Sequence, residues 1–400
     1  MVAARPTSEG ERLRIFVPHA SELFTNHRAH GDGLVAFEVA GRLAKRGHEV
    51  HVMAPEIDVR GTLPANLHLV PPPKAAGANL ASRIGYMRAV RSTYARLHRL
   101  RPFDIIHQLN PVYTGVSLAL AGTRVPIVLG AYVGAWPKDA DSPSIMGTID
   151  LPFAATARRF IASLQQRAAG ALILTTPAAE SLIAGVDRMR VKMFTIPHGI
   201  DPAIYEPDPS APDTDLPPTI LFVGGTERRK GIYVLLEAFA IVHQAMPNAR
   251  LLIVGAGGRE AAVSAEVAKM PERESIEFTG EVERSQIPGL MRRATVFAAP
   301  SFGEPFGMAL LEAMASAKPV VVTDAGGPAH IVDAAGGFKV PARDARALAS
   351  ALLAVLQQPA LAAAMGRHNR HAVETTYSWD RVIDRIEMVY AYVRALRSRS

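Results

Sequence analysis

Short apolar runs alternate with longer stretches of helical spacing along nearly the whole chain. Residues 13–18, 49–53, 105–107, 126–129 and 171–175 are rich in Val, Ile and Leu, and a helical pattern covers residues 34–46 between the first two. Such alternation predicts a parallel sheet with helices on both faces. The pattern stops at residues 201–218, where Pro202, Pro207, Pro209, Pro212, Pro217 and Pro218 cluster, and this segment reads as a linker. It restarts at residues 219–224 and continues with a helix over 232–244 and apolar runs at 251–255, 276–280, 296–300 and 319–323. Runs with so little polar alternation suit strands covered on both faces. The chain is therefore expected to be α/β, with two doubly wound, Rossmann-like domains facing across a cleft. Their expected bounds are 12–200 and 219–375, with the linker 201–218 between them. A last helix within 376–400 is free to cross back to the first domain.

A length of 400 residues, 48% of them hydrophobic and 20% charged, agrees with two ordinary cores. There is no cysteine for a disulfide and no apolar run of membrane-spanning length. Residues 1–11 lack the apolar centre of a signal peptide, so the expected location is cytoplasmic. A net charge of +7 suggests anionic partners, meaning nucleotides, nucleic acid or an anionic membrane. Nucleic acid is disfavoured, because the basic residues are scattered and no zinc-finger, basic-zipper or RNA-recognition pattern accompanies them. Residues 83–99 form a basic amphipathic helix candidate. It serves either as a sheet-packing helix with a solvated basic face or as a peripheral contact with the inner membrane face.

Candidate chemistry concentrates after the apolar run at 296–300. The string from Gly303 to Met314 makes a glycine-containing turn into a helix, and free N–H groups at a helix N-terminus hold anions. Glu304 and Glu312 lie within it, and ionised carboxylates accept hydrogen bonds from hydroxyl groups. Phosphate and polyol in one place point to a nucleotide-sugar. Gly224 and Gly225 end an apolar run and lead to Arg228, Arg229 and Lys230, a turn suited to pyrophosphate, although no Walker sequence is present. Residues 255–258 (Gly-Ala-Gly-Gly) offer a weak dinucleotide-binding alternative, and a plain strand-to-helix turn is the simpler account. His107 at a strand end is a candidate acid or base, His198 reads as a hinge residue, and Asn110, Tyr132 and Trp136 are candidates for an acceptor platform. Asp213 and Asp215 sit in the proline-rich linker and read as a solvated acidic loop.

The string Glu304-Pro305-Phe306-Gly307, with Glu312-Ala313-Met314-Ala315, Lys318-Pro319-Val320-Val321 and Gly326-Gly327-Pro328 after it, resembles the Glu-x7-Glu signature of retaining GT-B glycosyltransferases of family 4. Arg46 to Val50, Asp104 to His107, His198 to Asp201 and Gly280 to Val282 follow in the family's order. The resemblance implies that Lys230 holds the donor diphosphate with help from Arg229. It implies that Glu312 holds the ribose, that Val282 meets the base through its backbone, and that Phe306, Gly307 and Met308 offer N–H groups. Glu304 would sit beside the transferred sugar, and Gly31 or Gly33 would approach the donor phosphate. The nucleotide-diphosphate-sugar is then a co-substrate, with no cofactor and no metal implied, and the acceptor is a small molecule, a glycan or a lipid-linked group. Three departures stand out: Gly225 replaces a frequent Arg, residues 130–137 lack a frequent His, and His30-Gly31-Asp32-Gly33 replaces adjacent glycines. They leave room for a pseudo-glycosyltransferase, a phosphorylase-like enzyme or a nucleotide-sugar-binding subunit without turnover.

Overall fold

The computed structural model describes residues 11–28, 31–71, 80–109, 112, 114–137, 152–207 and 217–397. The amino-terminal tail, Asn110 and the acidic part of the linker with Asp213 and Asp215 lie outside the described residues.

Among the described residues nine strands form in the first part of the chain: β1 (Arg14–Val17), β2 (Leu23–Thr25), β3 (Glu49–Val52), β4 (Glu56–Asp58), β5 (Leu67–Leu69), β6 (Ile105–Gln108), β7 (Ile127–Tyr132), β8 (Ala171–Leu174) and β9 (Met193–Thr195). Seven of them make a parallel sheet in the order β5-β3-β1-β6-β7-β8-β9, and β2 pairs with β4. The second part contributes β10 (Thr219–Val223), β11 (Arg250–Val254), β12 (Ile276–Gly280), β13 (Val296–Ala299), β14 (Val320–Thr323) and β15 (Gly337–Val340), a parallel sheet in the order β12-β11-β10-β13-β14-β15. Strand order reverses at β1 and β6 in one sheet and at β10 and β13 in the other. In open α/β sheets the crevice at such a switch point, beyond the carboxyl ends of the strands, is where ligands lie.

The apolar runs fold as strands because both faces of each sheet are buried. Every residue of β1, β6 and β8 is inaccessible to solvent or nearly so. The strands β2, β4, β5, β9 and β15 were not expected from the sequence. Each has only three or four residues, too few to display a period.

The last helix, Trp379–Arg397, packs Trp379, Ile383, Ile386, Val389, Tyr390 and Val393 into the core of the first sheet. Arg46, just past the helix Gly31–Lys45, fastens it from outside, donating to Asp384 at 2.6 Å, Glu387 at 2.8 Å and the Asp380 carbonyl at 2.9 Å. His48 adds a contact of 3.0 Å to Glu387. The chain crosses between the sheets twice, side by side: Ile200 N–H donates to the Tyr377 carbonyl and Trp379 N–H returns to the Ile200 carbonyl. Gly199 allows this approach, since a Cβ there would lie 2.5 Å from the Trp379 ring.

The basic helix spans Leu80–Leu100. It buries Ala89, Val90 and Tyr94 against the first sheet and leaves Arg88, Arg91 and Arg96 exposed, so the middle of its apolar stripe is taken up by the fold while Ile84 stays exposed. Among the described residues no single helix is long and apolar enough to cross a membrane.

Candidate active site

The carboxyl ends of β10 and β13 face those of the first sheet across a cavity of about 770 Å³. From the second sheet it is lined by Gly224, Lys230, Glu304, Gly307, Met308 and Glu312, and from the first by Gly31, Asp32, Val35, Val133, Trp136 and Leu182.

Lys230 ends a single 3-10 turn, Arg228–Lys230, between β10 and the helix Ile232–Ala245. Gly231 follows with φ 77°, a left-handed conformation that brings its backbone against the Pro300 carbonyl, where no side chain fits. The loop after β13 is thereby held to the loop after β10, and Phe302 N–H donates to the Arg229 carbonyl at 2.9 Å. Across this junction Lys230 Nζ meets Glu304 Oε2 at 2.6 Å.

Glu304 precedes the helix Met308–Ala315, whose N-cap Gly307 has φ 97°. Its loop rests on Gly326 and Gly327: Gly327 N–H donates to the Glu304 carbonyl at 2.7 Å, and a Cβ on either glycine would strike the 303–306 backbone. That is the physical reason for the Gly-Gly-Pro string. Glu304 is therefore outside the helix and Glu312 within it. Glu312 is buried, which pushes its carboxyl above the usual range, against the opposing pull of the Tyr205 hydroxyl that donates to it and of Arg284 nearby.

Val282 lies in a neighbouring hollow of about 370 Å³ with Gly255, Ala256, Gly257 and Ile287, and this hollow shares Val223 and Gly224 with the main cavity. The glycine turn at 255–258 thus forms a wall of the same site and not a separate dinucleotide fold. Gly225 sits where a Cβ would run into the Glu227 carboxylate.

Four expected assignments change. His107 is 1% exposed, with Nδ1 2.7 Å from the Tyr390 hydroxyl and Nε2 3.1 Å from the Gly130 carbonyl; burial pulls it down to about 4. It is a neutral core residue joining the last helix to β7, and has no access to the cleft chemistry it was expected to perform. Arg229 does not line the cavity: its guanidinium lies 4.4 Å from the Trp136 ring centre and 3.3 Å from Glu227. Gly33 is buried in the helix Gly31–Lys45, and Gly31 alone of the pair faces the cavity. Tyr132 is 3% exposed in the core under β7, so it offers no platform, whereas Trp136 does face the cavity.

His198 is buried edge-to-face on Phe306, with ring centres 4.7 Å apart, and burial pulls it to about 4. It is neutral and links the interdomain crossing to the Glu304 loop. The sequence reading missed Tyr205 and Arg284, the groups that hold Glu312, and Asp32, Val35 and Leu182 on the opposite wall. Arg284 follows the Gly280-Glu281-Val282 string closely enough to have been flagged; Tyr205 gave no local signal.

This arrangement can be compared with known proteins. The family model for glycosyl transferases group 1 matches residues 208–372, and that for glycosyltransferase family 4 matches residues 30–204. A phosphatidyl-myo-inositol mannosyltransferase of Mycobacterium leprae is 38% identical over 184 residues, 45% of this chain and 48% of that protein. The matched segment thus spans about half the length of that relative. A protein of the same name from Mycolicibacterium smegmatis is 28% identical over 96% of this chain and 94% of its own. Anabaena HepE, solved in complex with UDP and glucose, superposes with a TM-score of 0.68 at 18% identity, covering 95% of this chain and all of that one, a likeness of fold. With two parallel sheets meeting across one cleft and a family model matched on each side of it, the chain belongs to the GT-B glycosyltransferases of family 4.

Proposed function

We propose that this protein moves a sugar from a nucleoside-diphosphate donor to an acceptor hydroxyl with retention of anomeric configuration. The observation that carries the reading is the Lys230–Glu304 ion pair, set at the mouth of the Gly307 helix terminus inside the cleft. A diphosphate between Lys230 and the N–H groups of Gly307 and Met308 meets positive charge from two sides. Neutralising the oxygen that takes the electron pair of the breaking sugar–phosphate bond is electrostatic catalysis, and Lys230 with the helix terminus supplies it without a metal. Glu304, drawn off Lys230 by the diphosphate, then accepts from hydroxyl groups of the transferred sugar. Glu312 accepts from the ribose, and the hollow at Val282 takes the base. HepE, with UDP and glucose bound, supports a nucleotide-sugar donor, and retention rests on the family resemblance.

Incubation with UDP-, GDP- and ADP-sugars and a panel of hydroxyl acceptors tests this reading. Transfer, or slow donor hydrolysis, is expected with at least one donor, and NMR of the product should show the donor's anomeric configuration. Tight binding without turnover would instead mark a binding subunit. Glu312→Gln keeps the shape but loses a charge-assisted acceptor, worth about 1.5–3 kcal/mol. The KM for the donor should rise roughly tenfold or more. An unchanged KM would remove Glu312 from the donor site.

A further inference from the structure

Past β7 the first domain sends the segment 133–137 over the cleft and onto the second domain. Gly134 lies where a Cβ would be 3.2 Å from the Pro305 carbonyl oxygen, and Gly303, φ 152°, lies where a Cβ would be 2.6 Å from Pro137 Cγ. The segment therefore touches the loop on both sides of Glu304, and two glycines make the fit. Between these contacts the indole of Trp136 lies under two cations at once, with the Arg229 guanidinium 4.4 Å and Lys230 Nζ 5.0 Å from a ring centre. Lys230 simultaneously holds Glu304, and Arg229 holds Glu227. An aromatic face attracts a cation without neutralising it, so it orients Lys230 and leaves the positive charge available to an anion.

We infer that Trp136 is a positioning residue that aims Lys230 at the donor diphosphate and makes donor affinity depend on closure of the two domains. The inference rests on the donor reading above. Among the described residues of the second domain none replaces the indole: when the domains part, the contact left to Lys230 there is Glu304, the partner the diphosphate must displace. Arg229 acts here through Trp136, widening the positive patch that the indole holds in place.

Trp136 and Trp379 are the chain's two tryptophans, so Trp379→Phe leaves Trp136 as the sole reporter. Titrating that protein with UDP and with GDP should change its emission with the saturation curve of binding. Measured by isothermal titration calorimetry in the otherwise wild-type chain, Trp136→Ala should weaken binding of the preferred nucleotide about 3- to 10-fold, the range of a partly desolvated cation–π contact. Trp136→Phe should recover most of the loss, which lost packing alone does not predict. Gly303→Val, which keeps the indole in the chain but wedges Pro137, and Trp136 with it, away from Lys230, should weaken binding by a similar factor. Wild-type affinity in Trp136→Ala, or no rescue by phenylalanine, would overturn this inference alone. A wild-type protein that binds none of UDP, GDP and ADP would overturn the donor reading beneath it.

Discussion

Replacing Lys230 with alanine should lower kcat by about two to three orders of magnitude while leaving the fold in place, the scale seen when one preorganised group is removed from a developing oxyanion. The two consequences separate because the residue has two roles of unequal size. As a structural pair with Glu304 it is short, 2.6 Å, but both side chains border the open cleft and retain 23% and 17% exposure. Water reaches Glu304 when its partner is gone, so the stability change should be of the order of 1 kcal/mol. In the proposed role of cation beside the leaving group, Lys230 has no equivalent among the described residues lining the cavity: Arg229 lies off its wall, stacked on Trp136. Lys230→Arg keeps the charge but spreads it over a planar fork in place of a compact ammonium, and partial activity is expected. Turnover at saturating donor together with a thermal unfolding curve separates the roles. A kcat within a few-fold of wild type would remove Lys230 from the chemistry.

The parts of this site legible in the sequence are those built locally. Buried parallel strands are nearly unbroken apolar runs, and each chemical loop follows one, so Lys230, Glu304, Glu312 and Gly307 could be picked out from order along the chain. What misled was what depends on distant partners. His107 looked like a cleft residue because it ends a strand, and only the last helix, arriving with Tyr390, seals it. Tyr132 looked available for stacking, but the register irregularity in β7 between Leu129 and Tyr132 sets it in the core that Ile127 and Leu129 enter. Tyr205 lies beside the linker with no pattern of its own and meets Glu312 through the interdomain crossing. Trp136 faces the cavity as an acceptor platform requires, but its contacts with two cations of the other domain left no local trace in the sequence.

Acidification from pH 7 to pH 4 should remove about 5–6 kcal/mol of stability through two histidines alone. His107 and His198 are both buried and held neutral, each pulled to about 4 from 6.5, with desolvation the leading cause. In the unfolded chain they take up protons near the ordinary histidine value of about 6.5, while the folded protein refuses them until about 4. Above the unfolded value neither state is charged and their contribution is complete; it drains away as pH falls through that window, by about 1.4 kcal/mol per unit for each ring. The depressed carboxylates Glu49, Asp333 and Glu387 act in a lower window, since their stabilisation fades only as pH falls below the ordinary carboxylate range. Glu312, raised by burial, works in the opposite direction and offsets part of the loss. A typical domain holds only about 5–15 kcal/mol in total, so cooperative unfolding is expected between about pH 5 and pH 4. Urea unfolding free energies at pH 7, 6 and 5 check this. The double variant His107→Asn, His198→Asn should be less stable at pH 7, having lost the Tyr390 and Gly130 hydrogen bonds, yet much flatter from pH 6.5 to pH 5, with His51, also lowered by burial, keeping a residual slope. A slope as steep as wild type would assign the acid sensitivity to other groups. Because His107 ties the last helix to β7 and His198 ties the interdomain crossing to Phe306, the protons that enter should loosen the domain junction first, and donor binding should fail at a higher pH than the fold itself.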